Sequence, residues 1–248
     1  MITVESTPNH AGVTVQGDYF DFEHLYDALH EITGWEDEYP AYYNARLRVL
    51  AICYDLRHAM MGHRGIVFVD NGLDDDKKRW RGIIAPDKNV YLTCNVLWPE
   101  LLFCTMALND FAELHAQKLS KNHYNLFEHK DVVWDSALAQ VRMFQAAIYQ
   151  CIAQTAPSTV LGRIRNMMLS YTSFDNYTTQ YLDILNNRFL DWDKEQRVKN
   201  ISIMVKRLVE KDAEYQEYRL AVEQAAKEYD CPPDMIRFGV EYQEEIDW

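Results

Sequence analysis

Glycine is distributed very unevenly along this chain of 248 residues, and that distribution constrains the fold more than any other feature. Seven of the nine glycines lie at or before Gly82, which leaves Gly162 and Gly239 for the remaining 166 residues. Because glycine provides tight turns and helix ends, a long segment almost without glycine favours long helices joined by few turns. We therefore expect strands and helices in the first hundred residues and helices almost exclusively after them.

The N-terminal part contains several segments with the residue types of β-strands. Residues 2–5 and 12–16 are short runs with β-branched residues on either side of a turn-rich stretch, which predicts a hairpin. Residues 66–69 predict a buried strand. Residues 81–84 and 90–96 flank the turn APDKN and predict a second hairpin. These strands would form a small, mostly antiparallel sheet.

Helical spacing of apolar residues occurs in both parts of the chain. The first predicted helix covers residues 22–32, with Asp21 as its N-cap, and the second covers residues 41–61 and ends at Gly62. The second helix is apolar on two sides, so we expect it to be packed on both. In the C-terminal part, further helices are predicted from Pro99 and at about residues 132–153, 158–170, 177–191, 194–210 and 212–229.

Together these elements predict an α+β fold. A small, mostly antiparallel sheet in the N-terminal part packs on helices and is followed by a predominantly α-helical C-terminal two-thirds. A chain of this length can bury a large core. We predict a single integrated domain over residues 1–248, in which a sheet-containing part, residues 1–96, and a helical part, residues 97–248, share one core.

The charge of the chain argues against whole classes of partner. The formal net charge is −13, and the acidic residues are spread along the whole length. Such a surface repels phosphate backbones and anionic lipids, so we expect neither nucleic acid nor a membrane as a partner. The acidity either serves solubility alone or provides a face that docks onto a basic protein.

Three features predict a soluble, cytoplasmic protein. The five cysteines are an odd number without a C-x-x-C pair, as in proteins with reduced thiols. The N-terminus lacks the basic and apolar regions of a signal peptide. No apolar run approaches the roughly 20 residues that a membrane span needs.

The second predicted helix carries side chains that suggest chemistry. Arg48, Asp55 and His58 lie within about 80° of the helix circumference, between two apolar faces. An unpaired charge in such a place is costly. One interpretation is structural, with each group paired inside the fold. The other is catalytic: Arg48 binds an anionic group, while Asp55 orients His58 as a general base.

An Asp-x-x-His spacing occurs twice, as Asp27 with His30 on the first predicted helix and Asp55 with His58 on the second. A carboxylate and an imidazole at this spacing on two neighbouring helices can bind one divalent metal ion, as the Glu-x-x-His pairs of di-iron bundles do. The alternative is a charged outer face, since the first helix is amphipathic. The sequence contains no P-loop, Rossmann, G-x-S-x-G or H-E-x-x-H motif, and no other cofactor is predicted.

Aromatic residues recur at helical spacing in the C-terminal part, at Tyr171, Phe174, Tyr177 and Tyr181. Such a stripe is typical of a core. The chain has sixteen tyrosines in all, and at this density the alternative is a protein interface, because tyrosine buries a large area while keeping a polar tip.

Four segments resemble a known family: GDYFDFEHLYDALHEITG, ARLRVLAICYDLRHAMMG, FVDNGLDDDK and NVLWPELLFCTMALNDF. Together they are similar to an uncharacterised bacterial protein family of unknown function, over roughly the first 150 residues. The resemblance implies a bacterial, cytoplasmic protein with a single integrated domain. It provides no activity, cofactor or site residue to carry over.

The sequence favours a cytoplasmic binding or regulatory protein that acts through protein–protein contacts, either with a partner protein or by self-association. Composition and the absence of catalytic motifs are the basis of this prediction. The alternative is a small-molecule enzyme with a site around Arg48, Asp55 and His58, which would be metal-dependent if the two Asp-x-x-His pairs meet.

Overall fold

The computed structural model of the chain describes residues 1–120, 126–169, 173–239 and 245–248, and it has the predicted α+β architecture. One antiparallel sheet has the strand order β1-β2-β4-β3. Its strands are β1 Thr3–Ser6, β2 Gly12–Gly17, β3 Gly65–Asp70 and β4 Lys88–Leu97.

Helices account for most of the remaining described residues, as the scarcity of glycine predicted. The first four are α1 Tyr19–Thr33, α2 Tyr43–Met60, α3 Asp75–Arg81 and α4 Trp98–Ser120. The later ones are α5 Lys130–Val133, α6 Ser136–Thr155, α7 Ser158–Met168, α8 Gln180–Leu190, α9 Lys194–Glu210 and α10 Ala213–Glu228. No helix in the described ranges is long and apolar enough to cross a membrane.

Aspartate side chains fix the starts of several helices. Asp74, Asp135, Asp193 and Asp212 each accept a hydrogen bond from a backbone N–H in the first turn of the following helix. Such caps satisfy donors that have no partner within the helix. The helices therefore begin where the sequence provides a short side-chain acceptor.

The prediction of Asp21 as the N-cap of the first helix was wrong. The cap is Asp18, whose side chain accepts a hydrogen bond of 2.9 Å from the backbone N–H of Asp21. The Asp21 side chain in turn accepts a hydrogen bond from the backbone N–H of Asp18. Because the two aspartates form a reciprocal capping box, the helix begins one turn earlier than its apolar spacing indicates.

Helix α4 lies at the centre of the core. Fourteen of its 23 residues are buried, and it contacts strands β2 and β4 as well as helices α1, α2, α6, α8 and α9. One cluster of buried residues extends from Ile2, just before β1, to Tyr215 in α10. The sheet and the later helices thus pack against the same helix. The single-domain organisation itself stays a prediction.

The interpretation of residues 66–69 as a buried strand was wrong. β3 lies at the edge of the sheet, and its side chains are exposed on both faces. The predicted hairpin of residues 81–84 with 90–96 was also wrong, because residues 82–84 are irregular and β4 pairs with β2 and β3. A continuous apolar run is typical of a strand that is covered on both faces, but its sequence does not show whether other elements pack on it.

The expectation that the second helix is packed on two sides was also wrong. One side of α2 is buried, with Val49, Ile52 and Leu56 in the core. On the other side, Leu47 and Tyr54 remain 42% and 52% exposed. Its polar side chains therefore lie at the boundary of the core rather than between two packed layers.

The aromatic stripe is part of the core where the structure describes it. Phe174, Tyr177 and Tyr181 are all buried, and Phe174 and Tyr177 both pack against Phe103 of α4. Tyr171 lies outside the described residues. The stripe joins the C-terminal helices to α4, so these tyrosines do not provide an external contact surface.

Candidate functional site

Arg48 of α2 is held by groups from α4 and α8. Its Nη2 donates hydrogen bonds to Asp183 Oδ1 at 2.8 Å and to the backbone carbonyl of Thr179 at 3.0 Å. Its Nη1 lies 3.4 Å from Glu100 Oε2. Two carboxylates and a carbonyl therefore surround a guanidinium whose side chain is 22% exposed.

Glu100 is the most deeply placed member of this group. Its Oε2 also accepts a hydrogen bond of 2.9 Å from Asn186 Nδ2, while its Oε1 has no hydrogen-bond partner among the described residues. Burial raises the pKa of Glu100, and the charge of Arg48 counteracts that rise. The arrangement has the features of an internal ion-pair network that joins three helices.

A cleft of about 560 Å³ opens beside this network and includes Arg48, Gln180, Asp183 and Arg237 in its lining. Within it, the Arg48 charge already faces the carboxylates of Asp183 and Glu100. An anionic ligand would have to compete with both for the same guanidinium. The anion-binding role of Arg48 stays a prediction, and this geometry gives it no support.

Asp55 and His58 have separate partners. Asp55 Oδ1 accepts hydrogen bonds from Arg64 Nη2 at 2.7 Å and from Arg64 Nε at 3.2 Å. The His58 ring packs on the Tyr54 ring with 4.1 Å between centroids, and its Nδ1 lies 3.3 Å from His63 Nδ1. No described hydrogen bond joins Asp55 to His58, so the contact expected of a base and its orienting carboxylate is not the one observed.

The three predicted catalytic residues therefore fall into two groups on one helix. Arg48 and His58 are ten residues apart, which is about 15 Å along the helix axis. Desolvation, followed by the charges of Arg64 and His63, lowers the pKa of His58. The catalytic assignment stays a prediction.

The four predicted metal ligands do not converge in the structure. Asp27 is exposed on α1, and the His30 ring packs on the Tyr26 ring, 4.5 Å away. Asp55 and His58 have the partners given above. Helix α1 is amphipathic, and Asp27 and His30 lie on its polar side. This arrangement agrees with the alternative interpretation, a charged outer face.

A different group of possible metal ligands does converge. Within the described ranges, one set of three or more His, Cys, Asp or Glu side chains brings its ligand atoms within 4.8 Å of one another, and it consists of Glu31, His115 and Asp135. Sequence reasoning missed this set. The signal that could have indicated it is His115, a histidine among the buried apolar residues of α4.

The most unusual surface of the molecule is a segment that we call the arm, residues 61–90. It contains β3, α3 and the start of β4, and none of its thirty residues is buried. Eight of its residues are exposed large hydrophobics: Met61, Ile66, Val67, Phe68, Trp80, Ile83, Ile84 and Val90.

The register of β4 explains why the arm is uncovered. β2 pairs with residues 92–97 of β4, whereas β3 pairs with residues 88–93. β3 and the first half of β4 therefore extend beyond the end of β2 as a ribbon of two strands. Such a ribbon has marginal stability in water unless another strand or a helix covers it.

The arm also differs from the rest of the chain in charge. It contains six Lys or Arg residues and five Asp residues, a formal net charge of +1, in a chain whose total is −13. The rest of the chain therefore carries −14. The arm is the part of the surface where apolar contact area and low net charge coincide.

A family model described as a domain of unknown function, DUF6904, matches residues 2–248. No curated protein and no solved structure matches the chain.

Proposed function

The chain belongs to the DUF6904 family, whose description states no activity, and we propose that it acts through protein–protein contact. The arm is the contact surface, and a second copy of the same chain is the partner. The observation that carries this proposal is the ribbon of β3 and β4, which is apolar and exposed on both faces.

The exposed side chains are large enough to stabilise an interface. Phe68 is 68% exposed, Trp80 is 83% exposed and Ile84 is fully exposed. Burying a side chain of this size contributes about 1.5–3 kcal/mol. Aromatic anchors of this kind dominate the energetics of protein interfaces. The arm contains two of them, Phe68 and Trp80, together with six other exposed large hydrophobic side chains.

A second copy fits this surface for two reasons. First, β3 pairs only with β4 among the described strands, so its other edge can pair with the same edge of a second β3 and continue the sheet. Secondly, contact through the arms brings together two segments with a net charge of +1 each. Contact between the parts of the two chains outside the arms would bring together net charges of −14 each.

The alternative function, a small-molecule enzyme around Arg48, Asp55 and His58, stays a prediction with less support. These side chains contact separate partners, and none of the contacts resembles an assembled base or nucleophile. The bacterial and cytoplasmic origin and the absence of nucleic acid or membrane partners also stay predictions from the sequence.

Light scattering coupled to size exclusion tests the proposal on the full chain. We expect the wild-type protein at micromolar concentration to have twice the mass of the 29.2 kDa monomer. Phe68→Lys places a charge on the ribbon and should give the monomer. Leu220→Lys is the matched control, because Leu220 is 63% exposed on α10, outside the arm, and this variant should remain a dimer.

Two results would overturn the proposal. One is a wild-type protein that remains monomeric up to the highest concentration at which it stays dispersed. The other is a dimer that Phe68→Lys and Leu220→Lys affect equally, because the contact would then lie elsewhere on the surface.

A further inference from the structure

We propose that Glu31, His115 and Asp135 bind a divalent transition-metal ion. The three residues come from α1, from α4 and from the N-cap of α6. This site is independent of the arm, and its test does not depend on the oligomeric state.

The histidine is the first part of the argument. The His115 side chain is 4% exposed, and its Nε2 makes no hydrogen bond with any described residue. An imidazole nitrogen without a partner in the interior costs free energy, and buried polar atoms in native proteins are nearly always satisfied. The nitrogen lies beside the carboxylate of Asp135, so a cation bound between these two side chains would give it a partner.

The distance between the two side chains fits a shared cation. His115 Nε2 and Asp135 Oδ2 are 3.5 Å apart. Hydrogen bonds from nitrogen to oxygen have lengths of about 2.7–3.2 Å. Two ligands that are each about 2.1 Å from a tetrahedral Zn²⁺ ion lie about 3.4 Å from each other. The observed separation matches two ligands of one ion better than it matches a direct hydrogen bond.

The two carboxylates have complementary roles. Asp135 is fixed, because its Oδ1 accepts a hydrogen bond of 2.8 Å from the backbone N–H of Leu138 and only Oδ2 faces His115. Glu31 is exposed and can move to complete the set. A cleft of about 420 Å³ between α1 and the start of α6 has in its lining Glu31 and Ser136, the residue that follows Asp135.

The ligand chemistry defines the class of metal. One imidazole and two carboxylates suit Zn²⁺, Mn²⁺ or Fe²⁺, whereas sites for Mg²⁺ and Ca²⁺ use oxygen ligands alone. Three protein ligands leave coordination positions for water or a small ligand, as in metal sites that exchange a ligand.

Equilibrium dialysis of chelator-treated full chain against Zn²⁺, followed by elemental mass spectrometry, tests the proposal. We expect one equivalent of Zn²⁺ in the wild-type protein. Glu31→Gln and Asp135→Asn should each weaken binding at least about tenfold, because each removes a charged ligand. Asparagine is as good an N-cap as aspartate, so Asp135→Asn preserves the start of α6. For this reason the test does not depend on the folding of a His115 variant.

Two control variants locate the site. Asp27→Asn changes an exposed carboxylate on the same helix as Glu31, and His58→Ala removes the surface histidine next to His63; both should bind one equivalent. No Zn²⁺ in the wild-type protein would overturn the proposal. Loss of Zn²⁺ in His58→Ala with retention in Glu31→Gln and Asp135→Asn would also overturn it, because the ion would then lie on the surface.

Discussion

In most proteins apolar side chains are buried and charged side chains are exposed, and the arm and the region around α4 depart from this rule in opposite ways. On the arm, large apolar side chains lie in water. Around α4, ionisable side chains such as Arg48 and Glu100 lie largely out of water. The interior groups contact one another across three helices, whereas the arm has no cover among the described residues. Charges that pair within the chain need no outside partner, whereas a large exposed apolar surface that nothing in the chain covers indicates one.

Removing Arg48 should give the largest effect, because it leaves the buried carboxylate of Glu100 without the charge that counteracts its burial. We expect Arg48→Met to lower the free energy of unfolding by about 3 kcal/mol at neutral pH, measured by urea titration. Arg57→Met is the control on the exposed side of the same helix, with an expected change within about 0.5 kcal/mol. Equal effects of the two variants would contradict the internal role of Arg48.

Asp110 of α4 should give an intermediate effect that depends on pH. Burial raises its pKa from 3.8 to about 6, although its carboxylate accepts a hydrogen bond of 2.7 Å from the backbone N–H of Phe174. The folded state therefore binds more protons than the unfolded state between these two values. Its contribution to stability accordingly increases as the pH falls from about 7 to about 4.

Comparison with Asp110→Asn isolates this contribution. Since Asp110 is only partly buried, we expect the wild-type protein to gain about 1 kcal/mol relative to the variant between pH 7 and pH 4, measured by chemical denaturation at each pH. A difference between the two proteins that stays constant with pH would contradict the raised pKa.

Substitution on the arm should give the smallest effect on the monomer. Ile84→Thr should change the free energy of unfolding by no more than about 0.5 kcal/mol when the protein is dilute enough to be monomeric. Ile148→Thr, at a fully buried position of α6, should lower it by about 2–3 kcal/mol. Similar losses in the two variants would mean that the arm is part of the core of a single chain.

The sequence predicted the fold class because its strongest signals are local. The hairpin of β1 and β2 and the C-terminal helices follow from periodicity and from the positions of glycine. β3 could not be predicted fully, because the run Ile66–Val69 has the same pattern whether a neighbour covers it or not. Its exposure depends on the register of β4, which is determined by β2 more than sixty residues away in the chain.

The candidate site was less accessible to sequence reasoning. Arg48 was recognised as an unusual charge, but its partners Glu100 and Asp183 lie 52 and 135 residues further along the chain. His115 gave no spacing signal, because its two neighbours in the group come from α1 and from the start of α6. A ligand set assembled from three distant segments leaves no motif in the sequence.

The continuity of β4 constrains how this chain can change in length. Leu92 and Thr93 pair with both β2 and β3, so one strand fixes the alternation of side chains in the sheet and in the arm together. Insertion of a single residue into β4 on the arm side of Leu92 would exchange the two faces of the ribbon relative to the rest of the sheet, because successive side chains point to opposite faces. Insertions or deletions of two residues would preserve these faces, so this part of β4 tolerates changes in length by two residues better than changes by one.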